Sequence, residues 1–414
     1  MTTAQQPSIQ HLLQTLCPDG VPYATLGEVG TIYGGLSGKS KQDFVNGNSK
    51  FITYKNVYSN MALKVDEFET VMIRPNEKQN IVQYGDFLFT GSSETPNECA
   101  MSSVLSEDID EPLYLNSFCF GFRFNSLDNI NIGFYKHYFR STEMRKYMNK
   151  TAHGTTRFNV SKKEFAAIPI PLPPLPIQER IVEILDKFSR LSAELEAELE
   201  AELELRKKQY DFYRNRLLSF DSISDTVQWM PLGEVCRYAK ERIASDLVNA
   251  QNYVSVENLL PNKLGVTVAL SVPQSGNCIK YQPNDILIGN IRPYLQKIWI
   301  ADRIGGTNGD VLTLHIVDEY QEQIIPRYLY QVLSSNAFFD YDNQHAKGAK
   351  MPRGDKNAVL KYPIPLPPLP VQERIVGILD KFETLVSDLS QGLPAEINLV
   401  QKQYEYYRDL LLRF

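Results

Sequence analysis

The chain has 414 residues, of which 43% are hydrophobic, and a formal net charge of −6. That much apolar material excludes an intrinsically disordered protein and is enough for two or more folded domains. The five cysteines include no Cys-x-x-Cys pair, so they indicate neither a disulfide framework nor a zinc ribbon. Residues 1–16 lack the pattern of a secretory signal, and no segment reaches the ~18 apolar residues that span a bilayer. We therefore expect a protein of the reducing cytoplasm.

The charges are unevenly distributed along the chain. Residues 183–204 carry eight acidic and two basic side chains, which accounts for the whole net charge. Residues 134–163 carry eight basic side chains and one acidic side chain. The aromatic residues of this basic segment recur at helical spacing, which predicts rings in the core and charges outside. We expect the outward charges to contact phosphates, because clustered Lys and Arg mark a nucleic-acid surface.

A glycine-rich stretch lies near the start of the chain, after an N-terminal helical segment that we assign to residues 1–20. It begins at Tyr33 and reads YGGLSGKS. A phosphate-binding loop of the Gly-x-x-x-x-Gly-Lys-Ser type is disfavoured, because the spacing from Gly34 is one residue short. The stretch is therefore either a surface turn or a loop that carries Lys39 and Lys41 towards a DNA backbone.

Two segments of the chain are almost identical. Pro169–Phe188 reads PIPLPPLPIQERIVEILDKF, and Pro363–Phe382 reads PIPLPPLPVQERIVGILDKF. Matches continue on both sides, with an offset that falls stepwise from 206 residues upstream to 194 residues at the repeat. A duplicated domain whose loops change in length gives this pattern. We predict a first variable domain at residues 21–167, a constant helical segment at 168–226, a second variable domain at 227–361 and a second constant segment at 362–414.

Each constant segment carries apolar residues at spacings of three and four, which predicts one long amphipathic helix. About 40 helical residues make a rod of roughly 60 Å, and so narrow an apolar stripe is stable only against another stripe. Gly392 and Pro394 predict a kink or break in the second helix. We predict that the helices pair antiparallel through Phe188, Leu191, Leu195, Leu199 and Leu203 of the first and Phe382, Leu385, Leu389, Leu393 and Ile397 of the second.

The first helix contains a tetrapeptide run, SAEL-EAEL-EAEL, at Ser192–Leu203. Four residues advance an α-helix by ~6 Å and turn it by ~400°, so a unit can be gained or lost while the apolar stripe rotates by only ~40°. The run is typical of an adjustable spacer, and a solvated acidic face is compatible with that role. We expect its acidic side chains to face solvent or a partner protein rather than DNA.

This arrangement resembles the specificity subunit of type I restriction-modification systems. The resemblance rests on a variable domain followed by a long helix, both duplicated, on PLPPLPIQERIV and KQYDFYRNRLL, and on the tetrapeptide run, and it covers essentially the whole chain. It implies two target-recognition domains that each read half of a split duplex DNA site. The helices then dock two methyltransferase subunits, and restriction and translocation subunits complete the enzyme. The expected fold is α+β, with two mixed α/β target-recognition domains separated by an antiparallel coiled coil and related by an internal pseudo-twofold repeat.

The predicted DNA-contacting segments are the loop after the central strand of each variable domain and the loop before each repeat. Glycine, basic and small polar residues in these loops suit bases or phosphates, with ion pairs and turns as the structural alternative. The predicted residues are Lys39, Lys41, Ser92, Ser93, His153, Thr155, Arg157, Arg292, Tyr294, Lys347, Lys350 and Arg353. The chain carries no methyltransferase, nuclease, dinucleotide or metal-ligand motif, so we expect no catalytic residue, metal or cofactor in it.

Two alternatives remain open. The chain could serve a fused methyltransferase-nuclease of the type IIB kind, which would leave the DNA-reading role unchanged. It could instead be a coiled-coil scaffold that binds no DNA, as the acidic rod and the low pI allow. DNA affinity in the assembled complex, and its dependence on salt, separates the second alternative from a DNA reader.

Overall fold

The computed structural model describes residues 7–220, 227–387 and 392–414. The chain divides into two compact units, which we describe separately. The first unit comprises Met1–Glu196 together with Leu399–Phe414, and the second comprises Ala197–Asn398. Within the described ranges, no helix is long and apolar enough to cross a membrane.

The first unit is built from short strands and helices around an aromatic core. Its strands are β1 Tyr23–Thr25, β2 Gly30–Gly34, β3 Ser49–Ile52, β4 Phe68–Val71, β5 Phe87–Thr90, β6 Ser92–Ser93, β7 Ser102–Val104, β8 Leu113–Leu115, β9 Cys119–Phe124, β10 Ala152–His153, β11 Phe158–Val160 and β12 Pro169–Pro171. Its helices are α1 Ile9–Leu16, α2 Leu26–Val29, α3 Tyr54–Ser59, α4 Ile132–Tyr138, α5 Thr142–Lys150 and α6 Lys162–Ala166, followed by the first half of α7 Leu175–Ser219.

The central sheet of this unit has the strand order β2-β9-β5-β7 and is antiparallel. Both of its faces are covered, which explains why β5 is apolar at successive positions. Phe87 and Phe89 point to the face that packs against α4 and α6, whereas Leu88 belongs to a separate cluster on the other face. A second sheet, β4-β3-β8, adds a parallel pairing between β3 and β8.

The second unit repeats this topology with different residues. Its strands are β13 Gln228–Pro231, β14 Cys236–Tyr238, β15 Arg242–Ala244, β16 Tyr253–Val254, β17 Asn277–Tyr281, β18 Ile286–Gly289, β19 Ile298–Ile300, β20 Gly305–Thr307, β21 Val311–Ile316 and β22 Pro363–Leu366. Its helices are α8 Leu232–Val235, α9 Pro326–Leu333, α10 Asn336–His345, α11 Lys356–Lys361, α12 Leu369–Ser387 and the start of α13 Leu393–Leu411. The order β14-β21-β18-β19 matches β2-β9-β5-β7, and β16 pairs with β20 in parallel, as β3 does with β8. The predicted duplication is confirmed.

The repeated proline-rich sequence closes each unit at the base of a long helix. The first copy forms β12, which pairs with β1, and the second forms β22, which pairs with β13. A buried tyrosine hydroxyl then donates to a proline carbonyl of each strand: Tyr135 to Pro171, and Tyr328 to Pro365. Prolines suit these strands because edge positions do not require their missing N–H groups.

A buried glutamine in the first turn of α7 and of α12 explains why the glutamine of the Gln-Glu-Arg sequence recurs in both copies. The side chain of Gln178 accepts from the N–H of Asn131 and donates to two carbonyls, one in the preceding loop and one at Pro173. Gln372 accepts from the N–H of Ile325 and donates to the carbonyls of Gln323 and Pro367. Both glutamines are completely buried. Each one fixes the start of its helix to its own domain.

Replacing either glutamine by leucine should destabilise one unit selectively. The change removes the side-chain partner of one N–H and two carbonyls, of which the proline carbonyl bond is buried, and this costs on the order of 2–5 kcal/mol. Both tryptophans, Trp229 and Trp299, lie in the second unit. Gln372→Leu should therefore lower the denaturation midpoint seen by tryptophan fluorescence, whereas Gln178→Leu should shift the far-UV circular dichroism transition with a much smaller fluorescence effect. Equal fluorescence shifts for both variants would contradict this assignment.

The predicted long helices are present, and the second is interrupted. Helix α7 runs unbroken over 45 residues, whereas α12 ends at Ser387 and α13 begins at Leu393, beside the predicted break at Gly392 and Pro394. In the first unit the Phe188 ring stacks on Tyr404 at 6.0 Å between centroids and meets Tyr407 edge-on at 5.5 Å. Residues near the start of α7 contact the end of α13, so this pairing is antiparallel.

The second unit uses the equivalent residues of the repeat. The Phe382 ring stacks on Tyr210 at 6.1 Å and lies 5.5 Å from Tyr213. Phe382 corresponds to Phe188, and the two tyrosines correspond to Tyr404 and Tyr407 at the same offset of 194. The same aromatic contact is therefore made once in each unit.

The buried line along the middle of α7 differs from the predicted leucine stripe. Leu191 and Leu195 are 48% and 44% exposed, whereas Ser192 between them is buried. The less exposed positions continue through Glu196, Leu199 and Leu203, alternating steps of four and three. Three successive steps of four rotate the leucine stripe relative to that line, which is why Leu191 and Leu195 lie off it whereas Leu199 and Leu203 lie on it. Of the second-helix positions, Leu393 is buried, Leu385 and Ile397 are half-buried, and Leu389 lies outside the described residues.

Candidate nucleic-acid interface

In the first unit, the end of the central sheet carries a pocket of about 510 Å³. Strand β6 leaves the end of β5 and pairs with β11, which in turn pairs with β10. This small sheet brings together the two loops that the sequence predicts to contact DNA. The pocket is lined by Tyr54, Tyr58, Ser92, Ser93, Glu94, Glu98, Phe118, Thr156 and Arg157.

Arg157 lines this pocket, and its guanidinium is held in place by two neighbouring side chains. Its Nη2 donates to Ser92 Oγ at 3.0 Å, and its guanidinium lies over the Phe118 ring, 4.8 Å from the centroid. The Phe118 side chain is 52% exposed, whereas Ser92, which lines the same pocket, is buried. The Tyr54 hydroxyl donates to the Ser92 carbonyl at 2.9 Å and fixes the pocket floor. The stacked pair offers one cation and one exposed aromatic edge to a ligand.

The pocket also holds a fixed carboxylate. Glu98 accepts from the hydroxyls of Ser93, at 2.8 Å, and Tyr58, at 3.1 Å. The Ser93 hydrogen bond, followed by those from Thr95 and Tyr58, lowers the pKa of Glu98, so it remains an acceptor at neutral pH. Ser93 is therefore present in the pocket, but its hydroxyl proton is used within the protein.

His153 and Thr155 lie on the exposed hairpin between β10 and β11. His153 Nε2 is 2.7 Å from Glu164 Oε2, and both side chains are more than half exposed. Thr155 is exposed near the tip of the hairpin. The hairpin is therefore accessible to a ligand beside the pocket.

Lys39 has a structural role instead of the predicted exposed one. Its Nζ donates to the Met72 carbonyl at 2.6 Å and forms an ion pair with Glu77, and its side chain is only 3% exposed. The hydrogen bond from the Arg74 backbone, followed by that from Lys39, lowers the pKa of Glu77 to about 2. The lysine thereby ties two loops together and offers no charge to a phosphate, in contrast to Lys41, which is exposed.

The equivalent end of the second unit carries a pocket of about 520 Å³. Arg292 lies at its rim in the left-handed region, with φ 54° and ψ 66°, and its N–H donates to the Pro352 carbonyl. Such a backbone conformation is unfavourable for arginine and persists only where the surrounding structure imposes it. Within the described residues, the exposed Arg292 guanidinium makes no hydrogen bond or ion pair. The neighbouring Tyr294 is 54% exposed.

The other predicted cations of the second unit lie on the hairpin beside this pocket. Arg353 Nη2 is 3.1 Å from Asp310 Oδ1, and Lys347 Nζ is 2.7 Å from Asp355 Oδ2. The hydrogen bond from Lys347 is the largest of the interactions that lower the pKa of Asp355 to about 2. Lys350 is exposed at the hairpin tip. All three cationic side chains remain largely accessible, and two of them are paired.

Comparison with known proteins identifies this duplicated architecture. The family model for the type I restriction modification DNA specificity domain matches residues 18–205 and again residues 225–399. The chain belongs to this family. The two matches define a first and a second specificity domain, each with its own pocket.

Curated relatives agree with this assignment. The chain is 32% identical over 269 residues to the specificity subunit of the Escherichia coli restriction enzyme EcoR124I/EcoR124II, covering 62% of this chain and 64% of that protein. It is 33% identical over 311 residues to a type I specificity-subunit relative from Haemophilus influenzae, covering 70% and 74%. The chain thus spans slightly less than two thirds of the E. coli relative's length.

Solved structures share the fold at low sequence identity. A chain from a type I restriction-modification complex aligns with a TM-score of 0.67 and 18% identity, covering 95% of this chain and 98% of that one. The HsdS subunit of Thermoanaerobacter tengcongensis aligns with a TM-score of 0.54 and 17% identity, covering 95% and 96%. Two α+β domains with a long helix between them are therefore the established fold.

The basic segment of the first specificity domain differs from its prediction. Its rings are core residues as expected, except for Tyr147, which is 37% exposed. Arg140, however, donates to the carbonyls of Val57, Tyr58, Asn60 and Ser102. Arg145 donates to the carbonyls of residues 97, 99 and 100. Burial lowers the pKa of both arginines to about 10. These two cations hold loops in place and do not face a phosphate.

A buried acid near Asn290 in the second specificity domain was not predicted from the sequence. Asp342 on α10 is 1% exposed, and among the described residues neither of its carboxylate oxygens has a hydrogen-bond partner. The Asn290 Oδ1 oxygen is likewise unpaired. Asp342 Oδ1 and Asn290 Oδ1 both lie against Gly354. Burial raises the pKa of Asp342 to about 6. A Met occupies the corresponding position, 148, in the first domain, so no repeated pattern pointed to this acid.

Within residues 7–220, 227–387 and 392–414, no group of three or more His, Cys, Asp or Glu side chains is arranged to hold a metal ion. The described cysteines are free thiols, most of them buried. The polar side chains of the two pockets are suited to hydrogen bonding and charge contacts with a ligand.

Proposed function

We propose that the chain is the specificity subunit of a type I restriction-modification enzyme and reads an asymmetric, bipartite duplex DNA target. One observation carries the proposal: a specificity domain of the same topology is built twice, with different side chains at the same end of its central sheet. Two unlike readers on a repeated frame recognise two unlike half-sites, and the protein geometry sets their spacing. The stretch of DNA between the half-sites is then left unread.

The proposed DNA contacts are the predicted cationic and polar residues other than Lys39, most of which lie at or beside the two pockets. In the first domain they are Lys41, Ser92, Ser93, His153, Thr155 and Arg157, and in the second they are Arg292, Tyr294, Lys347, Lys350 and Arg353. Lysines on mobile stems act as phosphate contacts, whereas arginines on supported loops present planar donors to base edges. Lys39 is left out because its side chain is buried and paired with Glu77.

We further propose that catalysis belongs to partner chains. Two methyltransferase subunits dock on the long helices and act on an adenine near each half-site, and restriction subunits join the complete enzyme. A base inside a duplex is inaccessible to chemistry, so the methyltransferase must extrude it while the specificity subunit holds the flanking sequence. This chain alone is expected to leave DNA unmodified, in the bacterial cytoplasm where its target lies.

An exposed apolar groove in the first unit is the proposed methyltransferase contact. It lies between α7 and α13 and has a volume of about 610 Å³. Leu191, Tyr407 and Leu410 on its rim are each about half exposed. Leu410→Glu should weaken assembly with the methyltransferase at least tenfold, because a charge would be buried in an apolar contact. Leu127→Glu, at an exposed leucine elsewhere in the unit, is the control. Equal assembly of both variants in a pull-down titration would contradict this contact.

Selection from a random duplex pool tests the proposed function. The chain, assembled with its methyltransferase partner, is incubated with the pool at several salt concentrations, and the bound DNA is sequenced. We expect enrichment of two fixed half-sites at one fixed spacing. Binding without any enriched bipartite sequence refutes the DNA-reading role, and absence of binding at every salt concentration favours the scaffold alternative.

A further inference from the structure

The two pockets occupy equivalent positions, as the hydrogen bonds around them establish. In the first domain the Val160 N–H donates to the Gly91 carbonyl at 2.9 Å, and in the second the Gly354 N–H donates to the Asn290 carbonyl at 3.1 Å. The residues that follow β5 and β18 therefore correspond one to one. Ser92 corresponds to Ile291, and Ser93 corresponds to Arg292.

The opposite wall of each pocket is matched by a repeated asparagine turn. The Asn116 side chain accepts from the N–H of Phe118 at 2.9 Å, and the Asn308 side chain accepts from the N–H of Asp310 at 3.1 Å. Phe118 and Asp310 are thus equivalent, and each lines its pocket.

The hairpin beside each pocket supplies a further pair. Gly154 and Gly348 both have positive φ, and each lies against the backbone three residues further along, at Arg157 and Met351 respectively. The buried asparagines Asn56 and Asn258 are equivalent, because the side-chain amide of each donates to a carbonyl eight or nine residues further along the chain. Tyr54 and Val256, two residues before these asparagines, are therefore the fifth equivalent pair.

All five equivalent pocket pairs differ, whereas four pairs of hydrogen-bonding framework residues are identical. The pocket pairs are Tyr54 with Val256, Ser92 with Ile291, Ser93 with Arg292, Phe118 with Asp310, and Arg157 with Met351. The matched framework pairs are Asn56 with Asn258, Asp86 with Asp285, Asn116 with Asn308, and Gln178 with Gln372. These four polar side chains make corresponding hydrogen bonds in both domains, whereas the five side chains that line each pocket are not kept.

Given the proposed function, we infer that these five positions determine which bases each domain reads, and that Arg292 reads a guanine in the half-site of the second domain. Arg292 is the member of the set whose guanidinium is exposed and without a partner among the described residues. Its backbone is held in the left-handed conformation by the Pro352 carbonyl, so the side chain leaves a fixed loop. A fixed, free guanidinium matches the O6 and N7 acceptors of guanine with two parallel hydrogen bonds.

The two paired cations beside this pocket fit the same assignment. Arg353 is already paired with Asp310, so its charge is partly neutralised, and Lys347 is paired with Asp355. At the position equivalent to Arg292 the first domain has Ser93, whose hydroxyl donates to Glu98. The first domain instead presents Arg157 on Phe118, a pair that the second domain lacks. The two pockets therefore require different base edges.

Two substitutions at Arg292 test the inference in the assembled complex. Arg292→Ser installs the residue of the equivalent position, and Arg292→Lys keeps the charge but removes the planar fork. We expect both variants to lose guanine preference at one position of one half-site by roughly ten- to hundredfold in pool selection. The other half-site and the spacing should be unchanged. Arg237→Ser is the matched control, because Arg237 is an exposed arginine near Asp285, at the opposite end of β18.

The outcomes separate base reading from a phosphate contact. If Arg292→Ser weakens binding to all sequences equally and lowers the salt dependence by about one ion, Arg292 contacts a phosphate and the inference is overturned. If Arg292→Lys retains full guanine preference, the two-bond reading is overturned. A wild-type complex that selects no sequence refutes the proposed function itself, and the inference with it.

Discussion

A chain that lacks Glu196–Leu199 is expected to recognise the same two half-sites across a gap that is one or two base pairs shorter. The deletion removes one tetrapeptide from the middle of α7, which is a continuous helix through this region. Four residues account for ~6 Å of helix, and one base-pair step of duplex DNA is ~3.4 Å. Binding to the original target should fall roughly a hundredfold or more, because one half-site loses its base contacts. Pool selection and methylation mapping both measure the new gap.

The local packing of α7 makes this deletion tolerable. Glu196 and Leu199 lie on the less exposed line within the deleted region, and Glu200 and Leu203 take their places after the deletion because the tetrapeptide repeats. A loss of four residues turns the following stripe by only ~40°. The aromatic contacts at Phe188 and Tyr210, on either side of the deletion, each lie within one unit and need not change.

A length-preserving variant is the control for this experiment. Glu196→Gln combined with Glu198→Gln removes two charges from the same tetrapeptide without changing the helix length. We expect it to keep the original gap. The spacer model is contradicted if the deletion variant still selects the original gap, or if the charge variant selects a shorter one.

The duplication and the long helices could be predicted from the sequence because backbone requirements recur. A buried glutamine that satisfies three backbone groups at a helix start tolerates no other residue easily, so Gln178 and Gln372 stand in identical contexts. The prolines of β12 and β22 follow from the same edge pairing in each unit. Such positions repeat because the geometry repeats, and a self-comparison detects them without structural information.

The roles of individual charges could not be predicted, because they depend on loops distant in sequence. Arg140 donates to the carbonyls of residues 57, 58, 60 and 102. Helical periodicity does not predict that these loops lie next to Arg140. Lys39 is neutralised by Glu77, 38 residues away. A basic residue that satisfies buried carbonyls and one that contacts phosphate look alike in a sequence. Only the packed structure separates Arg140 and Lys39 from Arg157 and Arg292.

Removing the buried charge at Asp342 should stabilise the second specificity domain at neutral pH. The carboxyl is 1% exposed, and its pKa is raised from 3.8 to about 6 by burial. An acid whose pKa is higher in the folded than in the unfolded state contributes stability that is fully present below pH 3.8 and is lost as the pH rises through about 6. Ionisation of the buried carboxyl therefore lowers the free energy of unfolding at pH 7.5 by on the order of 2–3 kcal/mol relative to its value below pH 3.8.

The variants Asp342→Asn and Asp342→Met, the latter taken from position 148 of the first domain, remove that charge. Stability is followed by tryptophan fluorescence, because Trp229 and Trp299 both lie in the second domain. The stability gain of Asp342→Asn over the wild type should grow as the pH rises from 4 to 7.5, because only the wild type acquires a buried charge. Asp340→Asn, at an exposed acid on the same helix, should give a difference that changes little with pH. A gain for Asp342→Asn that is constant across this range would mean that the pKa of Asp342 is the same in the folded and unfolded states, which contradicts the prediction.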